Sequence, residues 1–143
     1  MKNARKVLLI LLAAAGLVIA VPALTAAPPY LPGITVTDDH PNGCIDCHNN
    51  QGEGKDYRLN VSLAKLGKHP KIDAIVKKIP DSCLMCHKEG GKVSALNLML
   101  HKAHYEKGAD NAFVKFYQGA CLNCHKLDAA SGKMSVKSGP KNW

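Results

Sequence analysis

Aromatic side chains are scarce: four Tyr, two Phe and one Trp, 5% of 143 residues. A chain this short has room for one domain, two at most. Such a domain must bury most of the apolar surface that its unfolded chain exposes, and so few rings are thin material for a peptide-only core. Acidic residues are also few, 11 against 19 basic ones, for a net charge of +8. With 46% hydrophobic residues the composition is not that of an intrinsically disordered chain. No apolar run reaches the length of a membrane-spanning helix, which excludes a polytopic membrane protein. No Gly-rich phosphate loop, nucleophile elbow or carboxylate constellation appears. No cysteine lies outside three short motifs.

The positive charge invites a nucleic-acid reading, but part of it lies in the first segment. Lys2, Arg5 and Lys6 precede an uncharged apolar run, Val7 to Val21, which Pro22 breaks. Small residues follow at Ala23, Thr25, Ala26 and Ala27. This is the pattern of a secretory signal peptide spanning residues 1–26, with cleavage after Ala23 or Ala26. A helix of such a run spans about 22 Å, short of a hydrocarbon core of about 30 Å. No stable membrane insertion is expected after cleavage. Three basic residues and no acidic ones leave with the leader, so residues 27–143 carry +5. They read as one exported domain.

The six cysteines form three pairs with two residues between, each followed directly by histidine. They are Cys44-Ile45-Asp46-Cys47-His48, Cys83-Leu84-Met85-Cys86-His87 and Cys121-Leu122-Asn123-Cys124-His125. This is the attachment sequence for c-type haem. The two thiols form thioethers to the vinyl groups, and the adjacent imidazole binds iron from below the ring. One short helical turn offers two sulfurs to a porphyrin edge and a nitrogen to its centre. A zinc site wants two cysteine pairs per metal, and three pairs do not divide evenly. Disulfides suit an exported chain but leave the trailing histidines unexplained. Three haem c groups with iron are the expected cofactors, with His48, His87 and His125 as proximal ligands. They would fill the core that the aromatics do not. Their six propionates would bring the net charge to roughly +2 oxidised and −1 reduced, which removes the case for a nucleic-acid partner.

The first cysteines of the motifs, Cys44, Cys83 and Cys121, are almost evenly spaced, which suggests three units. Ile72, Ile75, Val76 and Ile79 recur at helical spacing between Pro70 and Pro80, predicting a helix over 70–79. A second helix is predicted from Ser94 as N-cap through Leu96, Leu100 and Tyr105 to Gly108. No useful strand alternation appears. The expected fold class is mainly α with extensive loop and few or no strands, wrapped around three covalent haems.

Four histidines remain for the far side of the irons: His40, His69, His101 and His104. The stretch between His69 and Cys83 is long enough to carry His69 to the far face of the second haem. His101 and His104 lie three apart on the predicted helix and share a face. His40 stands just ahead of Cys44, too close to cross its own haem readily. It is a solvated loop residue, a ligand to another haem, or a ligand to a haem of a neighbouring subunit. Met85, Met99 and Met134 could also ligate, but methionine is more often packing.

The pair His101-Lys102-Ala103-His104 followed by a haem motif resembles the small class III multihaem cytochromes c, periplasmic carriers with three or four haems. In that family the first histidine of such a pair serves the haem of the next motif and the second serves another. The resemblance thus implies His101 for the haem at Cys121, Cys124 and His125, and His104 for that at Cys44, Cys47 and His48. Here the pair precedes the third motif, whereas in the family it precedes the first.

Two histidines on each iron close its coordination sphere, so the expected role is electron transfer and not catalysis. The reading is a low-potential periplasmic or extracellular carrier of anaerobic respiration. Its partners would be redox proteins: a membrane quinol oxidase, a hydrogenase-type donor or an outer-membrane cytochrome. Two alternatives stand beside it. One is a subunit of an extracellular cytochrome filament or larger redox complex, for which an oligomer is possible. The other is a haem reductase, if one iron lacks a sixth ligand. Lys65, Lys68, Lys71, Lys77 and Lys78 form the densest basic cluster, either a solvated face or a docking patch for an acidic partner.

Overall fold

Short elements separated by turns make up residues 27–143, which are the residues that the computed structural model describes. The leader reading falls on residues 1–26, outside them. Four α-helices occur among the described residues: α1 (Cys44–Cys47), α2 (Leu59–Ala64), α3 (Leu96–Tyr105) and α4 (Ala112–Tyr117). Four very short strands form two antiparallel pairs. β1 (Lys78–Ile79) pairs with β4 (Gly139–Pro140), and β2 (His125–Leu127) with β3 (Met134–Val136). The architecture is mixed helix and loop with little sheet. Among these residues no helix is long and apolar enough to cross a membrane.

The helix predicted over 70–79 does not form. The backbone makes one turn, with the Ile75 and Val76 amides donating to the Ile72 carbonyl, and then enters β1. Two contacts from outside the segment account for this. The Ser82 hydroxyl accepts from the amides of Lys77 and Lys78. Lys78 and Ile79 then pair with Pro140 and Gly139. Pro80 also biases the residue before it toward extended backbone. The apolar positions still find the core: Val76 and Ile79 are buried and Ile72 packs against them, while Ile75 faces solvent.

α3 forms on a run of good helix formers, with ends that differ from those predicted. Ser94 does not cap it. The helix opens after Ala95, and the Ser94 carbonyl instead accepts from the His87 ring. Gly108, with φ +53°, begins a separate 3₁₀ turn at Gly108–Asp110. Asn111 caps α4 by accepting from the Phe113 amide, and its own amide group donates to the Ala103 carbonyl. That one side chain ties α4 to α3.

Ile45, Val76 and Ile79 form the buried cluster, with Cys44, Leu59, Ile72 and Trp143 packed on it. Leu96 is the only other buried hydrophobic residue among those described. By contrast Tyr30, Leu66, Leu98 and Phe116 are each about two-thirds exposed (67%, 66%, 69% and 68%). The polypeptide alone therefore encloses one small core and leaves most of its larger side chains outside it. Gly139 is required where β4 crosses this core. A β-carbon there would lie 2.7 Å from Ile45 Cδ1 and 2.8 Å from Asn42 Cβ.

Lys137 is the one buried charged residue among those described. Its Nζ donates to Asp38 Oδ1 (2.8 Å), the His40 carbonyl (2.9 Å) and the Leu122 carbonyl (2.6 Å). It thereby pins the extended lead-in to the third cysteine motif. Burial pushes the Asp38 carboxyl up, but donation from Lys137 and from the His40 amide outweighs it, and the net position is below the ordinary value. A carboxylate held low contributes stability above about pH 4 and loses it as pH falls further. Lys137→Met leaves that carboxylate and two carbonyls without their donor. It should cost about 3 kcal/mol at pH 7. Denaturant titration at two pH values checks this: the loss should shrink as pH falls below about 4, where the ordinary aspartate range is passed and the Asp38 carboxylate is progressively lost. A loss independent of pH would indicate packing alone.

Candidate functional site

Each cysteine motif folds as one tight turn. The first is α1, and the second and third are 3₁₀ turns at Asp81–Met85 and Cys121–Asn123. In the first two motifs the histidine amide donates back to the first cysteine carbonyl, His48 to Cys44 at 2.8 Å and His87 to Cys83 at 2.9 Å. In the third, His125 instead opens β2, pairing with Val136. The turn thus sets both cysteines and the histidine of each motif on one short stretch of backbone. None of the six cysteines is joined to another in a disulfide. Burial pushes the Cys44 thiol up to about 11, with Cys124 of the third motif adding to the effect. Burial likewise raises Cys47, Cys83 and Cys124. Reactive redox cysteines are shifted the other way.

The structure brings each motif histidine opposite one other histidine. His48 faces His104 with ring centres 6.2 Å apart, His69 faces His87 at 6.0 Å, and His101 faces His125 at 6.1 Å. Two imidazoles bound trans to one metal have centres about 6.3 Å apart, from metal–nitrogen bonds of about 2 Å and about 1.15 Å from nitrogen to ring centre. Aromatic pairs in general span about 4.5–7 Å; what marks these three is that each joins a motif histidine to a remote one. His101 and His104, one turn apart on α3, thus reach toward the third and first motifs respectively. His40 faces no histidine among the described residues. It meets the edge of Tyr117 beside a small cavity of about 160 Å³ that Tyr30 and Phe116 also line.

Ring hydrogen bonds fix the tautomer of five of these six histidines. The partner in each case is a backbone carbonyl, which can only accept, so Nδ1 carries the proton. His48 donates to Tyr57 (3.2 Å), His87 to Ser94 (2.9 Å) and His69 to Pro70 (2.9 Å). His101 donates to Asn97 and His104 to Leu100, both at 2.8 Å. Nε2 is left with its lone pair. A carbonyl accepting from Nδ1 in this way orients a metal-binding histidine and raises its basicity. Burial, opposed by the Tyr57 carbonyl and aided by the neighbouring His104, holds His48 below the ordinary histidine value and so neutral at pH 7.

A cavity of about 670 Å³ lies against the first motif, lined by Cys47, His48, Tyr57, His104, Phe113 and Tyr117. Its size suits a large flat organic group. The wall mixes aromatic rings with polar residues, among them Gln51, Lys107 and Asp110, and a sulfur and two opposed imidazoles on it fit the donor set of a covalently attached haem. Among the described residues no three His, Cys, Asp or Glu side chains converge to hold a bare metal ion, as a four-ligand zinc site would require. The supporting residues carry no sequence signal as ligands: Tyr57 and Ser94 act through their carbonyls, and Phe113 through its ring edge, 5.0 Å from His104.

Comparison with protein-family models, curated proteins and solved structures finds no significant match.

The segment after β4 clamps the first motif. Asn142 Nδ2 donates to the carbonyls of His48 (2.9 Å) and Ile45 (3.3 Å), and Trp143 packs on the Ile45 cluster. Asn142→Ala should destabilise the protein by about 1–3 kcal/mol by removing that donor. Thermal unfolding followed at the first site should soften before the rest of the chain.

Proposed function

We propose that this chain is an electron-transfer protein carrying three haem c groups, each held by two thioethers and two histidines. The observation that carries the reading is the set of three facing histidine pairs, each joining one Cys-X-X-Cys-His histidine to a distant one. Cys44, Cys47, His48 and His104 would hold the first group, and Cys83, Cys86, His87 and His69 the second. Cys121, Cys124, His125 and His101 would hold the third. When bound, these groups supply reversible one-electron chemistry at iron.

The chain's own residues determine what kind of site results. A histidine on each side leaves no open position for substrate, which favours a carrier over a reductase. Donation from five Nδ1–H groups to carbonyls makes the imidazoles more basic and the ferric state more stable, so the potentials are low. His101 and His104 share one turn of α3, and their rings face the third and first motifs respectively. The first and third sites are therefore neighbours. Lys68 and Lys71 flank His69 and are exposed, a position suited to steering an acidic redox partner toward the second site. With an export leader, the setting is the periplasm or beyond.

Optical titration of the purified protein tests the carrier reading. Carbon monoxide should leave the reduced spectrum unchanged at neutral pH, and binding to any haem would favour the reductase. His69→Ala should open the second site alone, so that one haem in three becomes reactive. The charge reversals Lys68→Glu and Lys71→Glu together should slow reduction by an acidic donor at low ionic strength. The difference should vanish at high salt, where surface charges are screened. An unchanged rate at low salt would reject the docking role.

A further inference from the structure

The three histidine pairs are alike in separation but not in orientation. The rings of His69 and His87 are near parallel, 11° apart, as are those of His101 and His125 at 9°. The rings of His48 and His104 cross at 81°. Both rings of this pair are anchored. His48 is tied by Nδ1 to the Tyr57 carbonyl, and His104 to the Leu100 carbonyl with the Phe113 edge against it at 5.0 Å and 76°.

Ring orientation matters at a low-spin ferric centre. Each imidazole donates π density perpendicular to its own plane. Parallel rings both raise the same member of the iron d(xz), d(yz) pair and split the two widely. Crossed rings raise one each and leave the pair nearly degenerate. In the parallel case the orbital that holds the ferric hole is raised by two donors, which stabilises the oxidised form. In the crossed case it is raised by one. We propose that the first site, built on His48 and His104, is electronically distinct from the other two: near-axial in its ferric state and more readily reduced than the second site. The inference rests on the haem reading above.

The Nδ1 bonds do not separate the two sites in one direction. Both histidines of the second site donate at 2.9 Å, whereas at the first site His48 donates at 3.2 Å and His104 at 2.8 Å. The longer bond leaves His48 less basic and the shorter one leaves His104 more so, which leaves ring orientation to carry the difference. The first site thus differs from the second in the crossing of its two rings.

Electron paramagnetic resonance of the fully oxidised holoprotein tests this. The expected spectrum has two ordinary rhombic low-spin signals and one strongly anisotropic low-spin signal at lower field, in a two-to-one ratio of spins. On stepwise reduction the anisotropic signal should be lost before at least one of the rhombic signals. His69→Met changes the second site only, so the anisotropic signal should persist while one rhombic signal goes. His104→Met should remove the anisotropic signal. Three rhombic signals of one type, or loss of the anisotropic signal in His69→Met, would overturn the inference while leaving the haem reading standing. Absence of low-spin ferric signals altogether would overturn the haem reading itself.

Discussion

Under the proposed function, opposed imidazoles are the constraint on which the rest of the arrangement depends. Residues 27–143 bury only four hydrophobic side chains to below a tenth exposed, and three of these form one cluster. That is too little apolar burial to offset the conformational entropy of ordering such a chain. The histidine pairs close loops that the peptide core does not. The longest closure joins His48 to His104 and encloses the whole second motif; His101 to His125 and His69 to His87 close shorter ones. Under the proposed function each closure is a pair of metal bonds, and the group between them provides the apolar bulk that the sparse aromatic residues do not.

Around that frame the polypeptide acts as local bracing. Short turns present the cysteines, carbonyls hold the rings in one tautomer, and a few side chains join segments that are remote in sequence. Lys137 links the lead-in to the third motif, and Asn142 clamps the first. Gly139 lets β4 come close enough to Ile45 for that clamp to reach. Long secondary structure is not needed for this, and among the described residues α3 is the longest element. α3 is also the element that serves two sites at once, which is why a regular helix is useful there.

What the sequence disclosed followed from how local each signal is. The cysteine motifs, the histidine inventory and the run Leu96–Tyr105 are carried by neighbouring residues, and they could be read directly. The segment 70–79 misled because its apolar spacing suits a helix. Its partners, Ser82 and the strand at Gly139–Pro140, lie outside any local window. Ser94 looked like a helix cap because the type of side chain suggested it, whereas its carbonyl is what the fold uses. Lys137 was one basic residue among many, since burial of a lysine has no signature in sequence. The ring planes that set the first site apart depend on backbone carbonyls at Tyr57 and Leu100 and have no sequence signature either.

The central claim is that the six thiols are used up in attaching three groups around which the chain closes. Intact-mass measurement of the denatured exported protein, together with a thiol count, tests it most directly. The account predicts a polypeptide mass increased by three haem c increments that survive denaturation, and no thiol free to react. A bare polypeptide mass with six reactive thiols, or three disulfides in their place, would contradict it.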